Sequence, residues 1–253
     1  MSNNLLILPV EHTKEDQAIW REALRRGWKT LRFNPSIPEE IGQYDMVRYY
    51  GNVLHKQRIE KYIPIHFKPI SPTMLSDLHV SWTGREIKSM KYSELENPLS
   101  QDRFVKCADI KWIQAGVYPA SFDHRFEWKG MHSDDLIYVQ EPFEFINELR
   151  CFVVGREVVT ASWYRKNKEI CIENVPITDD DFTAVVPRAN TFNLTSVMRE
   201  FFSPLPDGVV LDFGNDCHGR WTLIEANEAW ASGLYDCDPE KVFDAIIESQ
   251  ENK

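Results

Sequence analysis

Near the C-terminus, the side chains of Asp212, Glu225 and Asn227 have the types and spacing of a metal-binding set. They lie in two apolar runs, VVLDF and WTLIEAN, whose turn-rich connection predicts an antiparallel strand pair. Because side chains alternate between the two faces of a strand, Glu225 and Asn227 share a face, and Asp212 can meet them across the pair. Two carboxylates and an amide oxygen suit Mg²⁺, which completes its ligand shell with phosphates and water.

A solvated hairpin with scattered acids is the alternative interpretation of this stretch. The residues that flank the acids are so apolar that we favour a buried sheet, in which unpaired acids would be costly. The acids then need partners, and the preceding strands offer candidates.

Charged residues recur inside the other predicted strands. Lys106 follows Phe104-Val105, and Glu148 and Arg150 are two residues apart, so they share a face. An unpaired buried cation is expensive and must meet an anion. Either Lys106 and Arg150 pair directly with the acids at 212 and 225, or the cations and acids lie apart with a metal-bound polyphosphate between them. We favour the second explanation because buried ion networks contribute little to stability.

The composition limits the class of protein. At 253 residues, the chain is long enough for one large domain or two lobes that share a cleft. Its 43% hydrophobic residues are typical of a globular protein, and a net charge of −10 with no basic run argues against binding nucleic acid. The five cysteines contain no CxxC pair, which argues against a disulfide framework or a structural zinc site. Without a membrane-spanning run or a signal-peptide pattern, a cytoplasmic protein is expected.

The first 80 residues predict an α/β lobe. A short buried strand, LLILPV, precedes a helix that Thr13 can cap, with Asp16 three residues on and Gly27 as its stop. Two further strands follow, the second at DMVRYY, and a strand–helix–strand order favours parallel pairing. Neither GxGxxG nor GxxxxGK[ST] occurs, so no phosphate loop is predicted.

The remainder of the chain favours an antiparallel sheet with helices on it. A stretch of mixed charge with Gly and Pro, Leu78–Asn97, marks a boundary, and strands follow in series. An apolar hairpin turns at Gly155-Arg156, a helix is predicted near Asn193 to Phe202, and Asp238 caps a final helix. The predicted divisions are a lobe of residues 1–80 and a domain of residues 81–253, with subdomains of roughly 81–139 and 140–253.

Three stretches resemble the ATP-grasp superfamily. They are FVK, then VQEPFEFINELRCFVVGREVVTASWYR, then VVLDFG followed by WTLIEANEAWASG, and they cover roughly Asp102 to Ile247. The glycine-poor version with a second lysine after FVK looks closer to a divergent branch. That branch includes the cell-division-cycle ATP-grasp proteins of translation initiation and small bacterial and phage proteins. The resemblance implies an α+β ATP-grasp fold, in which antiparallel sheets with helices grip a nucleotide, preceded by the α/β lobe.

The resemblance also implies a site for ATP. Lys106 would contact the α- and β-phosphates, and Lys111 would stand in for the lysine or glycine-rich loop that covers them in many relatives. Glu148 would hold the ribose hydroxyls. Main-chain groups of a hinge would read the adenine edge, and the hinge residues would be Gln140, Glu141 and Phe143.

The same resemblance implies how the terminal phosphate is handled. Asp212, Glu225 and Asn227 would bind one or two Mg²⁺ ions that bridge the terminal phosphates. Arg150 and Arg165 would stabilise charge on the transferred phosphoryl group, because phosphoryl transfer needs positioning and charge stabilisation more than covalent chemistry.

The reaction that the resemblance implies is a ligation. ATP and a carboxylate form an acyl phosphate, and an amine or thiol then displaces the phosphate. The expected protein is therefore an ATP- and Mg²⁺-dependent carboxylate–amine (or thiol) ligase whose substrate is a peptide, a protein or an amino acid. Two other classes stay open: an ATP-binding assembly factor that binds a protein partner with little turnover, and a kinase.

Overall fold

A computed structural model describes residues 3–33, 39–108, 112–155, 157–170 and 205–252, without the side chains of residues 39 and 40. Lys111 and the helix predicted near Asn193 to Phe202 lie outside these ranges. Within the described ranges the strands form four sheets. None of the helices in these ranges is long and apolar enough to span a bilayer.

The N-terminal lobe is built on a three-stranded parallel sheet. Its elements are β1 (Asn4–Leu8), α1 (Lys14–Arg25), β2 (Lys29–Arg32), β3 (Met46–Tyr49), α2 (Lys56–Tyr62), β4 (Ile65–Phe67), α3 (Met74–Asp77) and α4 (Val80–Thr83), with 3₁₀ turns at Glu39–Gln43 and Val53–His55. Strand β1 lies between β2 and β3 and is parallel to both, as the strand–helix–strand order predicts. Helix α1 begins after Thr13, which accepts a hydrogen bond from the Asp16 amide, and Gly27 follows its end with φ of 76°.

Two antiparallel sheets form most of the rest. The elements are β5 (Ile87–Lys91), β6 (Arg103–Cys107), β7 (Gly116–Tyr118), α5 (His124–Glu127), β8 (Leu136–Gln140), β9 (Asn147–Val154), β10 (Glu157–Lys166), β11 (Glu169–Ile170), β12 (Gly208–Asn215), β13 (Trp221–Glu228), α6 (Pro239–Glu248) and β14 (Gln250–Asn252), with 3₁₀ turns at Tyr92–Glu94 and Ala229–Ala231. The small sheet has the strand order β5-β8-β6-β7, and the large sheet has the order β11-β10-β9-β12-β13. This arrangement agrees with the predicted α+β fold.

The large sheet has apolar residues on both faces. On one face, Cys151 and Leu211 pack in a core that includes residues of α3 and the small sheet. On the opposite face, Phe152 and Val210 belong to a core that α6 shares with the strands of the N-terminal lobe. Because side chains alternate along β9 and β12, the charged residues at 148, 150 and 212 lie on this second face. One continuous core therefore supports both the N-terminal sheet and the charged residues.

The free edge of β3 is covered by side chains from β14. The Tyr49 amide donates to Gln250 Oε1 at 2.8 Å, and Gln250 Nε2 donates to the Tyr49 carbonyl at 2.9 Å. Asn252 Oδ1 accepts a hydrogen bond from Arg48 Nη1 at 2.8 Å. Strand β14 itself pairs with β4. Residues from the far end of the sequence thus complete the N-terminal sheet.

Gly208 is the residue of β12 that lies against α6. A Cβ atom at this position would lie 1.9 Å from the Ala245 carbonyl oxygen and 2.7 Å from the Ser249 amide nitrogen. Because backbone atoms of a packed helix can yield only by shifting the helix, we expect Gly208→Ala to lower the free energy of unfolding by about 1–3 kcal/mol, the usual cost of overpacking. Chemical denaturation measures this loss.

Gly116→Ala is the matched control, because Gly116 also lies in a strand and nothing lies within 4 Å of a Cβ there. Equal stability of the two variants would contradict the close packing of β12 against α6.

Candidate active site

A row of charged side chains crosses the inner strands of the large sheet. The register places Arg150 of β9 opposite Asp212 of β12, and Asp212 opposite Glu225 of β13. The Arg150 guanidinium binds Asp212 at two points, with Nε 2.9 Å from Oδ1 and Nη2 2.7 Å from Oδ2. Only 8% of Arg150 and 3% of Asp212 is exposed. The row therefore contains a buried, bidentate ion pair.

A β-bulge in β13 brings Glu225 to this row. Leu223 lies opposite Phe213 and Glu225 lies opposite Asp212, so that Ile224 is an extra residue. In a regular strand Leu223 and Glu225 would share a face, because they are two residues apart. The bulge instead places Leu223 in the core and Glu225 beside Asp212.

A second bulge, in β10, has the same effect on Arg165. Trp163 lies opposite Leu149 and Arg165 lies opposite Glu148, which leaves Tyr164 as the extra residue. Arg165 Nη1 lies 2.9 Å from Glu148 Oε1. Burial raises the pKa of Glu148, and the charge of Arg165 opposes this rise. Both residues predicted for this part of the site therefore lie together.

Asn227 joins the two carboxylates of the row. Its Nδ2 lies 3.1 Å from Asp212 Oδ2 and 2.8 Å from Glu225 Oε1. The three side chains predicted to bind a metal are thus neighbours on one face of the β12–β13 pair. Their role as metal ligands stays a prediction.

Lys106 reaches this face from the small sheet. It lies on β6, and its ammonium group forms an ion pair with Glu225. The small and large sheets therefore meet at a contact between opposite charges. Together with the Arg150–Asp212 pair, this is the arrangement in which the cations pair directly with the acids. Our preference for separated charges is corrected: in the absence of another anion, each desolvated cation is balanced by the nearest carboxylate.

The pKa values of the two carboxylates shift in opposite directions. Burial disfavours a charged Glu225, but the Lys106 ammonium and the hydrogen bond from Asn227 outweigh burial and lower the pKa of Glu225 from 4.5 to about 2. Burial raises the pKa of Asp212, although Arg150 opposes this rise, and the charge of Glu225 adds to it. A metal that needs both carboxylates ionised therefore competes with a proton at Asp212 as the pH falls.

The donor set fits Mg²⁺ by its chemistry. Two carboxylates and a carboxamide are hard oxygen donors, and a half-turn of the Asn227 amide replaces its nitrogen by its oxygen. In the described part of the chain, no group of three or more His, Cys, Asp and Glu side chains is placed to hold a metal ion. A metal at this site would thus depend on Asn227 and on oxygens from phosphate or water.

The predicted hinge connects β8 to β9, and we use the name hinge for residues 140–146. Gln140 is buried at the end of β8. The Glu141 side chain is 85% exposed, and the Phe143 ring packs on Phe145 with 4.9 Å between ring centroids. These three predicted residues lie at one end of the small sheet, and their contact with adenine stays a prediction.

Arg85 is a residue of this region that sequence reasoning missed. Its Nε donates to Gln140 Oε1 at 3.0 Å, and its guanidinium carbon lies 5.7 Å from the centroid of the Phe143 ring. The sequence signal is an arginine that directly follows Gly84 and precedes an apolar strand. We interpreted this stretch only as a boundary between domains.

Two tyrosines beside Arg150 were also not predicted. The Arg150 guanidinium carbon lies 5.8 Å from the centroid of the Tyr164 ring and 4.9 Å from that of Tyr235. Arg150 Nη1 also donates to the Gly233 carbonyl at 3.2 Å. Burial raises the pKa of Tyr235 to about 12, so this tyrosine is neutral at physiological pH. These contacts hold the arginine in place over the row.

A cavity of about 530 Å³ lies beside the hinge but outside the charged row. Its lining includes Lys88, Met90 and Val139, which alternate with residues that face the large sheet. Lys106 lies on the opposite face, because Val105 and not Lys106 is opposite Val139. The cavity is therefore not the space between the two sheets.

The lowered pKa of Glu225 predicts a dependence of stability on pH. Because this pKa is about 2 in the folded protein and 4.5 ordinarily, Glu225 contributes stability above pH 4.5 that is lost as the pH falls toward 2. The free energy of unfolding of Glu225→Gln should therefore decrease less steeply over this interval than that of the wild type. Chemical denaturation at a series of pH values measures both slopes.

Glu157→Gln, an exposed change on the same sheet, should retain the wild-type slope. A wild-type slope in Glu225→Gln would show that Lys106 does not lower the pKa of this carboxyl group.

The solved structures show which fold this arrangement belongs to. D-cycloserine synthetase DcsG is similar with a TM-score of 0.61 and 11% identity, over 96% of this chain and 99% of that chain. D-alanine–D-alanine ligase from Bacillus anthracis is similar with a TM-score of 0.55 and 11% identity, over 98% and 97% of the two chains. The ATP-grasp ligase PsnB, complexed with precursor peptide PsnA2 and AMPPNP, gives 0.51 and 11%, over 98% and 99%. The fold is therefore that of ATP-grasp ligases, as predicted.

The family is shown by the sequence itself. A comparison with curated proteins finds no match. A family model of the ATP-grasp domain, the second family of its clade, matches residues 82–245, a range that includes every predicted site residue. The closer likeness to the translation-initiation and phage proteins is not tested by this match and stays a prediction. Because the match covers more than half of its residues, the chain belongs to this family of the ATP-grasp superfamily.

Proposed function

We propose that the protein is an ATP- and Mg²⁺-dependent ligase that joins a carboxylate to an amine or a thiol through an acyl phosphate. The observation that supports this proposal is the contact between the sheets. Lys106 of the small sheet meets Glu225 of the large sheet, next to Asp212 and Asn227. A metal-bound polyphosphate placed between the sheets would find metal ligands on one side and a cation on the other.

The acids of the row would hold the metal ion. Asp212, Glu225 and Asn227 supply two carboxylates and an amide oxygen, and bound Mg²⁺ would neutralise negative charge on the terminal phosphates. Lys106 and, by the family resemblance, Lys111 would bind the phosphates. When phosphate oxygens arrive, the Lys106 ammonium can exchange its carboxylate partner for a phosphate without losing a charge partner.

The remaining residues would orient the nucleotide and the reacting groups. The hinge residues Gln140, Glu141 and Phe143 would bind adenine through main-chain groups, and Glu148 would bind the ribose. Arg150 and Arg165 would stabilise the charge of the transferred phosphoryl group. Arg150 is suited to this role because its bidentate contact with Asp212 and two tyrosine rings fix the direction of its guanidinium.

The proposed reaction has two steps. A carboxylate oxygen of the first substrate attacks the γ-phosphorus, the bond to the β-phosphate oxygen breaks, and ADP leaves. The nitrogen of an amine, or the sulfur of a thiol, then attacks the acyl carbon, loses its proton and displaces inorganic phosphate. The protein's part in both steps is to align the groups and to stabilise charge.

The proposed carboxylate substrate is a peptide, a protein or an amino acid. Fold neighbours motivate this range, because one is a D-alanine–D-alanine ligase and another was solved with a precursor peptide. The cytoplasm is the proposed location, since ATP is supplied there.

The first prediction concerns binding. At about 100 times its Kd, a ligand adds about 2.7 kcal/mol to the stability of the folded state. We expect ATP with Mg²⁺ to raise the unfolding temperature of the wild type more than ATP alone, and Glu225→Ala to lose the metal-dependent part. Glu225 is the better target than Asp212, because loss of Asp212 would leave Arg150 buried without a charge partner.

Glu157→Ala is the control, because this exposed glutamate lies on the same large sheet. If ATP and Mg²⁺ do not stabilise the wild type, the likeness to ATP-grasp enzymes extends to the fold alone and the proposed function is wrong.

The second prediction concerns the reaction. Hydroxylamine, a small nucleophile, should trap the acyl phosphate as a hydroxamate when ATP, Mg²⁺ and a pool of peptides or amino acids are present. Release of ADP should then increase only with carboxylate-containing substrates. A stable phosphorylated product without hydroxamate would identify a kinase, and tight ATP binding without release of ADP would identify an assembly factor.

A further inference from the structure

Arg85 is a buried cation that connects the small sheet to the large one. It follows Gly84, where φ is 69° and where a Cβ atom would come within 2.7 Å of Thr222 Cγ2 on β13. This close approach brings the Arg85 side chain to β13, the edge strand of the large sheet. Its Nη1 donates to the Leu223 carbonyl at 3.0 Å, and its Nη2 donates to the Ile224 carbonyl at 3.3 Å.

A contact with two adjacent carbonyls is a property of a bulged strand. In a regular antiparallel strand, neighbouring residues direct their carbonyls to opposite edges. Ile224 is the extra residue of the β13 bulge, and the planar fork of a guanidinium can donate to two oxygens at once. The contacts of Arg85 therefore favour the bulged conformation over the regular one. They also favour the position of Glu225 beside Asp212, which depends on the bulge.

The same guanidinium contacts the hinge. Its Nε donates to Gln140 Oε1 at 3.0 Å, and its carbon lies 5.7 Å and 5.0 Å from the ring centroids of Phe143 and Phe145. Within the described ranges Arg85 forms no ion pair, and Glu225 is the carboxylate whose charge acts on it. Burial lowers the pKa of Arg85 to about 10, so it remains charged at neutral pH. Its charge is thus stabilised by carbonyls of β13 and by the hinge.

We propose that Arg85 is a positioning residue that keeps the β13 bulge, and with it Glu225, in the arrangement that binds Mg²⁺, and that couples this arrangement to the hinge. The inference rests on the proposed function, because it assumes a metal at Glu225. Arg85 does not touch the metal; it acts through the backbone that carries a ligand. Partners of metal ligands typically change metal affinity by about 10–100-fold when they are removed.

A direct contact between Arg85 and the nucleotide is the competing explanation. That contact would be lost in a variant whether or not Mg²⁺ is present. A change in the bulge would instead alter the amount of Mg²⁺ that is needed, while binding of ATP alone stays unchanged. The two explanations are therefore separated by a titration of Mg²⁺.

The experiment compares Arg85→Gln and Arg85→Lys with the wild type. Thermal unfolding is followed with ATP alone and with ATP plus increasing Mg²⁺. We expect the Mg²⁺ concentration for half-maximal stabilisation to rise about 10–100-fold in Arg85→Gln. Arg85→Lys should resemble Arg85→Gln, because a single ammonium cannot bridge two carbonyls and Gln140. The control is Lys88→Gln, a 65% exposed cation on the neighbouring strand, which should behave as the wild type does.

Hydrogen exchange supplies a second measurement that does not depend on metal. Amides of residues 222–226 should exchange faster in Arg85→Lys than in the wild type, while those of residues 150–154 stay unchanged. If neither variant folds, the wild type decides: adding Mg²⁺ to the ATP complex must slow exchange at residues 222–226.

Three results would overturn the inference. They are a wild-type Mg²⁺ requirement in the Arg85 variants, an equal loss of ATP binding without Mg²⁺, and unchanged exchange at the bulge. If the wild type itself shows no Mg²⁺-dependent stabilisation, the proposed function fails, and hydrogen exchange in Arg85→Lys then tests the role of Arg85 at the bulge separately.

Discussion

The Arg150–Asp212 ion pair constrains the arrangement of the large sheet. Both groups are buried, and removing either partner of such a pair typically costs about 3–5 kcal/mol because a charge is left without compensation. A shift of one residue between β9 and β12 would turn both charges toward the apolar core that contains Cys151 and Leu211. The pair therefore specifies the strand register, and the positions of Glu225 and Asn227 follow from that register.

Much of the site could be predicted from the sequence because strand alternation is a strong constraint. Acids inside apolar runs placed Asp212, Glu225 and Asn227 on one face, and the structure brings them within hydrogen-bonding distance of one another. Helix ends were equally accessible, because Thr13 and Asp238 cap α1 and α6 as their types indicate. The ATP-grasp fold followed from motif order, and the family match includes those motifs.

The bulges and Arg85 could not be predicted in the same way. A bulge adds one residue, and Ile224 is as apolar as its neighbours, so the pattern of the sequence does not mark it. Arg85 takes its meaning from carbonyls 138 and 139 positions away, and only the folded chain brings them together. Direct pairing of Lys106 with Glu225 was weighed but not preferred, because sequence shows that a cation needs an anion and not which anion is nearest.

The side chain that covers the edge of β3 has a consequence for synthesis of the protein. Gln250 exchanges two hydrogen bonds with the Tyr49 backbone across a separation of 201 residues. While the chain emerges from the ribosome, the N-terminal sheet must wait for this residue with a bare edge, the kind of surface that pairs with other chains. Completion of the N-terminal lobe is therefore a late event in folding, and long-range contacts of this kind slow folding.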